Sequence, residues 1–360
     1  MSVKLSQRQA SLDVVRLAAI ASVLVMHVLD NSWSLDKSIL VQNSSAVIVL
    51  KFLIYNLGRI GVPLFLFLTG YLMLDRKYNW ADIPHFYKKR VSKLAIVTLI
   101  WDIIYVILRL MLGDRVFSVG TIVKELLFIG PLSAPHLWYM PAIIGIYIFL
   151  PIVANSLAHL NDRTIKILTL LMIFYSFIVP TASVFLRAAG YGKLQPGLEI
   201  NFTGGICGAM VIIGYLIKRY QSQITAKLNT GRCLLLLIGS IACSTILQYL
   251  TVFVYGRSDT SPWYDSIFIL LAAVALFVLI LQKFVLLKPR AWLARAAEST
   301  FGIYLVHYVF IYIFVAIAKI HGFKQGLAYT ATMGIVVTVL SYLFCWVMQK
   351  SKRLRKLICV

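Results

Sequence analysis

Ten apolar runs decide most of what this chain can fold into. They lie near residues 12–30, 55–74, 93–112, 136–154, 165–181, 204–218, 233–252, 266–286, 300–319 and 327–348. A membrane span needs about 20 predominantly apolar residues. In lipid, every backbone N–H and C=O must find its partner within the structure, so unbroken apolar runs of this length fold as helices. The composition agrees: 60% of the residues are hydrophobic and 13% charged, with a mean hydropathy of +0.86. The expected fold class is an all-α polytopic membrane protein, a bundle of about ten transmembrane helices. The apolar segment 46–54 either extends the second span or forms a separate half-helix, and a short stretch at 121–129 reads as interfacial.

The longest loops, near 75–92, 113–135 and 182–203, are each about 20 residues. That is too short for an independent folded module. Residues 1–360 therefore read as one membrane domain with a basic tail at 350–360. The first apolar run is too long and too charged for a cleaved signal peptide and reads as a retained span. Cys207, Cys233, Cys243, Cys345 and Cys359 form no C-x-x-C pair and read as small core residues, with no metal-ligand spacing.

The net charge of +22 is explained by where the charges fall. With a cytoplasmic N-terminus, inside segments carry 23 Lys and Arg, from Lys4 to Lys356, whereas outside segments carry eight, including Arg257 and Lys324. This bias predicts that both termini are cytoplasmic. It also removes the need for a nucleic-acid partner, while a basic inner face suits an anionic cytosolic cosubstrate.

The first span carries the chemistry. SLDVVRLAAIASVLVMHVLD, Ser11 to Asp30, holds Asp13, Arg16, His27 and Asp30. An ionisable group at a helix centre costs roughly 2.5–3.5 kcal/mol even on the lenient insertion scale. Arg16 and His27 are eleven positions apart, three turns plus about 20°, so they share a face about 16 Å apart along the axis. Asp13 can pair with Arg16, and Asp30, three after His27, can orient the imidazole. The plain alternative is an ion-pair network that fixes packing.

Four further blocks stand out. GRIGVPLFLFLTGYLML, from Gly58, brings Arg59 into the membrane beside small residues that fit either a packing or a substrate groove. HFYKKRVSKL, from His85, clusters Lys88, Lys89, Arg90 and Lys93 at the cytoplasmic surface, as a phosphate-docking patch or as positive-inside topology alone. PHLWYMPAIIGIYIFLPIV, from Pro135, places His136, Trp138 and Tyr139 at the outer interface, where an aromatic belt is also expected. ESTFGIYLVHYVFIYIF carries His307 mid-span, with Glu298 as a helix-start cap. Asp102 and Arg109, seven apart, read as an internal pair. Walker, nucleophile-elbow, H-E-x-x-H and dinucleotide motifs do not occur.

Taken in order, these blocks resemble the membrane acyltransferase-3 family, which O-acylates bacterial cell-surface sugars. LDVVRLAAIASVLVMH resembles the family's L-D-x-x-R opening with Arg-x10-His, and GVPLFLFLTGYLML its V-P-L-F-F-x-x-S-G-Y-L-L motif. KKRVSKL resembles its R-x-x-R entry to the third span. The HLWY and IYLVH blocks are similar to the branch containing the enterobacterial common antigen O-acetyltransferase. Thr69 replaces the usual Ser, Lys93 replaces the second Arg, and no SGNH domain follows.

The resemblance implies acyl transfer in the bacterial inner membrane, from cytoplasmic acetyl-CoA or another acyl-CoA to a hydroxyl of a cell-surface glycan or lipid-linked sugar. No metal is expected, because the residues show no metal-ligand spacing. His27 is then catalytic, with Arg16, Asp13 and Asp30 around it. Arg90, Lys93 and Lys89 hold the CoA phosphates, and His136, Trp138, Tyr139, Arg59 and His307 face the acceptor. A second reading is a multi-pass transporter or flippase for a sugar, amino acid or polymer, although the paired repeats many transporters carry are not evident. A third is a non-catalytic envelope partner.

Overall fold

A computed structural model describes residues 8–35, 37–194, 205–256, 263–323 and 325–358. Lys4, Arg257, Lys324 and Cys359, considered above, lie outside them. The described residues form helices and connecting turns. We label α1 (Ala10–Ser32), α2 (Ser45–Arg59), α3 (Gly61–Met73), α4 (Ser92–Met111), α5 (Val119–Leu126), α6 (Tyr139–His159), α7 (Asp162–Ile173), α8 (Val179–Ala188), α9 (Gly205–Arg219), α10 (Thr230–Tyr249), α11 (Ile267–Lys283), α12 (Ala291–Ile320) and α13 (Leu327–Lys350).

Eight helical stretches among the described residues are long and apolar enough to cross a membrane, which makes this a polytopic membrane protein. The expected spans at 204–218 and 266–286 correspond to the shorter α9 and α11. Other helices run further than their apolar cores suggest. The third begins at Trp80 and reaches α4 through a π turn at Tyr87–Val91. A second π turn, Phe174–Ile178, joins α7 to α8.

The chain divides into two compact units. The first comprises residues 1–76 and 153–297. Within it, α1 packs on α2 and α3, α3 on α9, and α10 on α11 and α2. Glycines permit the closest approaches. A Cβ on Gly58 would lie 2.7 Å from the Met26 Cβ, and one on Gly61 2.6 Å from the Ala19 carbonyl oxygen. α2 and α3 therefore run antiparallel to α1, and the register continues outward to Lys51, whose ammonium meets the Ser34 carbonyl. Residues 45–50 consequently extend past the end of α1. The apolar 46–54 segment is thus continuous in helix with the second span while its first turns lie beyond α1, where Leu40, Ile48, Phe52 and Val252 cluster.

The Thr69–Gly70 step of the second span is a packing groove. A Cβ on Gly70 would run into the Val211 carbonyl of α9, and one on Gly214 of α9 into the Phe67 carbonyl of α3. Backbone cannot swing aside as a side-chain tip can. Gly70→Leu is expected to destabilise the fold by about 1–3 kcal/mol or more. Gly145→Ala in α6, where nothing lies within 4 Å, provides the control. Thermal unfolding in detergent checks the pair, and equal midpoints would contradict the close α3–α9 contact.

The second unit comprises residues 77–152 and 298–360. Trp101 of α4 donates its indole N–H to the Leu357 carbonyl at 2.9 Å, and Tyr105 donates to the Leu305 carbonyl at 2.7 Å. Two sequence expectations change here. Glu298 lies inside α12, not at its start, and pairs with Arg355 at 3.2 Å. Asp102 and Arg109 both hold Ser133 and do not pair with each other. Asp102 accepts the Ser133 N–H at 2.7 Å, while Arg109 donates to the Ser133 carbonyl at 2.8 Å and pairs with Asp114 at 3.0 Å. The 113–135 loop is thereby tied to α4. Arg115 pairs with buried Glu125 at 2.9 Å, and that bond raises the Arg115 pKa further.

Candidate active site

The Ala10 end of α1 is built around one buried carboxylate. Asp13 accepts from Arg16 at 2.7 Å, as the i, i+3 spacing predicts. It also accepts from Arg8, at 2.6 Å and 3.0 Å on its two oxygens. Arg8 donates further to the Ala294 carbonyl of α12 at 3.0 Å. Sequence reasoning counted Arg8 only as a topology charge, because it precedes the helix and its partner carbonyl lies 286 positions away. Two guanidinium groups thus meet on this one carboxylate. The two-point Arg8–Asp13 contact fixes the Arg8 guanidinium plane.

Near the other end of α1, His27 is buried at 8% exposure. Its backbone carbonyl accepts from the Asn31 amide at 2.7 Å. The contact of Gly58 with Met26 puts Arg59, the next residue, level with His27 along the helix pair. Arg59 is 2% exposed and Lys51 is fully buried, and Asp30 interacts electrostatically with both. Aromatic rings close around these cations. Trp33 lies 4.6 Å from the Lys51 ammonium, and Trp263 lies 3.9 Å from the Arg59 guanidinium carbon. Lys51 was missed in the sequence, where it stands as one charge in an apolar run and no periodicity marks its partner.

In the second unit, Lys88, Lys89 and Arg90 sit on the π turn Tyr87–Val91, and Lys93 follows in the first turn of α4. Lys88 and Lys89 are exposed, and Arg90 and Lys93 half-buried. The Tyr87 hydroxyl fixes the turn by donating to the Ile148 carbonyl at 2.8 Å. The helix thus presents a cationic entry of three ammonium groups and one planar guanidinium.

His136 and His307 come together, their ring centroids 4.8 Å apart. His136 stacks flat on Tyr308 at 4.5 Å, and its carbonyl accepts from the Tyr304 hydroxyl at 2.5 Å. His307 Nδ1 faces the carbonyls of Ile303 and Tyr304 at 3.1 Å and 2.7 Å. Facing two acceptors, that nitrogen carries the proton. Both rings are enclosed in aromatic packing, whereas Trp138 is exposed and meets Tyr139 edge-on at 6.1 Å.

The sequence of residues 9–348 matches the acyltransferase-3 family, described as an Acyltransferase domain. The chain belongs to the acyltransferase-3 family. The match covers nearly the whole length, from just before α1 to the end of α13, so it includes all the blocks described above. No curated protein and no solved structure matches the chain. In this acyltransferase, Arg8, Asp13, Arg16, His27, Asp30, Lys51 and Arg59 lie in the first unit. Arg90, Lys93, His136, Trp138, Tyr139 and His307 lie in the second.

Proposed function

We propose that this acyltransferase is a multi-pass O-acyltransferase of the bacterial inner membrane, with both termini in the cytoplasm. It moves an acyl group, acetyl in the first instance, from cytoplasmic acyl-CoA to a hydroxyl of a cell-surface polysaccharide or its lipid-linked precursor. The observation that carries the reading is α1 itself. A clamped arginine near one end and a buried histidine three turns away lie on one membrane helix of an acyltransferase-family chain. Neither is needed to hold a helix in lipid, and both are costly there.

A thioester is already activated, so transfer needs a base at the acceptor hydroxyl and stabilisation of the tetrahedral oxyanion. In this reading neutral His27 takes the hydroxyl proton as that oxygen attacks the acyl carbonyl, with Asp30 a turn away orienting the imidazole. Collapse of the tetrahedral adduct breaks the carbon–sulfur bond and releases CoA thiolate, which recovers the proton from His27. Arg16, held by Asp13, meets the donor from the inner side. Arg90, Lys93 and Lys89 hold the CoA phosphates. Arg59, His136, Trp138, Tyr139 and His307 serve the acceptor.

Radiolabelled acetyl-CoA supplied to membranes carrying the wild-type chain and native acceptors should label the envelope glycan. No label, with succinyl-CoA tried in parallel, would contradict acyl transfer. In the same assay Arg90→Ala with Lys93→Ala should raise the acyl-CoA KM about 10-fold or more, as two charge-assisted phosphate contacts are lost. The kcat should change little. An unchanged KM would remove the phosphate role from these residues.

A further inference from the structure

The Arg59 guanidinium is a buried cation whose hydrogen-bonding capacity the protein leaves partly unused. Nη2 donates to the Tyr55 hydroxyl, but Nε and Nη1 meet no acceptor among the described residues. Rings cover the group instead: Trp263 at 3.9 Å, Tyr55 at 4.7 Å and Tyr264 at 5.2 Å. Cation–π contact offsets only part of the cost of burying unpaired charged donors. Burial holds the Tyr264 hydroxyl protonated, its pKa pushed up to about 12, so this ring adds no negative charge.

The wider setting is also cationic. Among the described residues, Lys51 and Arg59 both interact electrostatically with Asp30. The two cations follow one another along α2 from the level of Ser34 inward to the level of His27. Trp263, over Arg59, is 50% exposed and forms the rim. A planar guanidinium fork matches a carboxylate or phosphate. Aromatic faces alongside suit the apolar face of a sugar ring.

We infer that the Lys51–Arg59 corner selects an acidic saccharide as acceptor, its carboxylate or phosphate seated on Arg59 and its ring against Trp263. Naming this ligand the acceptor rests on the acyltransferase reading, whereas the anion site does not. Trp263 covers the guanidinium in the free protein, so it shifts aside as the saccharide enters. The acceptor's anion is then held at the level of His27, about three helical turns along α1 from Arg16.

Calorimetric titration of the full chain in lipid nanodiscs tests this. The probes are trigalacturonate, its uncharged methyl ester, and galactose 1-phosphate. At least one anionic probe is expected to bind about 10-fold or more tightly than the ester. Whichever binds identifies carboxylate or phosphate as the source. Arg59→Met should weaken that binding at least about 10-fold without lowering the melting temperature, because it removes a buried unpaired donor. Arg59→Lys keeps the charge, loses the fork, and should weaken binding similarly, which covers the case of a misfolded Met variant.

Failure of both anionic probes to bind, equal affinity for the ester, or wild-type affinity in the folded Arg59 variants would overturn the inference. Acyl transfer to envelope glycan without an acidic preference would remove this inference alone. Anion binding that depends on Arg59, without transfer, would remove the acyltransferase reading and leave the site standing.

Discussion

Membranes carrying His27→Ala are expected to transfer acyl groups about 10²–10⁴-fold more slowly than wild type, the usual contribution of one positioned general base. The argument is chemical and positional. His27 is the imidazole on the α1 face that also carries Arg16, it is buried, and it lies level with Arg59 on α2. An acceptor hydroxyl is a poor nucleophile until its proton is taken, and alanine cannot take it. His27→Gln separates chemistry from packing, since glutamine fills similar space and forms hydrogen bonds but is no base. Both variants should retain the wild-type melting temperature to within a few degrees. Full transfer by a well-folded His27→Ala protein would take His27 out of the mechanism.

The second large effect concerns stability. Asp13→Ala should destabilise the fold by about 3 kcal/mol or more, because breaking a buried ion pair strands the remaining charges. The carboxylate is nearly inaccessible, with its side chain 2% exposed, against 11% for Arg8 and 29% for Arg16. Its loss removes the carboxylate that both guanidinium groups share. Arg8→Ala removes one of the two cations and keeps the Asp13–Arg16 pair, so it should cost less, even though the Ala294 carbonyl also loses its donor. Asp13→Asn keeps the shape and a hydrogen-bond acceptor but not the charge, and should fall between. Unfolding midpoints of the three variants in detergent test this order. An Asp13→Ala protein as stable as wild type would show that lipid headgroups or water solvate the arginines.

Some relationships were legible in the residues because they are local. The 3.6-residue helical repeat puts Asp13 against Arg16, and the structure shows that pair. The same repeat places Arg16 and His27 on one side of α1. Apolar runs of membrane length dictate helices because lipid offers the backbone no hydrogen bonds, and all eight candidate spans fall on expected ones. The order of the five motif blocks was sufficient to indicate the acyltransferase-3 family, which the match across residues 9–348 shows.

Other relationships had no local signature. Asp102 and Arg109 have the spacing of a pair, yet both hold Ser133, because a loop backbone offers each a better-placed partner. Glu298 resembles a helix cap only while the helix is taken to start at its apolar core. In the fold α12 begins at Ala291, and Glu298 pairs with Arg355.

By itself, then, the sequence determined the membrane-spanning helical class, the family and the shared face of Arg16 and His27. Each follows from composition, residue order or helical pitch, which need no knowledge of neighbours. The tertiary structure alone decided that Arg8 joins Asp13, that the α9 backbone closes on Gly70, and that aromatic rings cover Lys51 and Arg59. These contacts join segments far apart in the chain. They depend on which helix faces come together and at what register, and in a bilayer tight packing sets that register more than apolarity, since lipid and protein are about equally apolar.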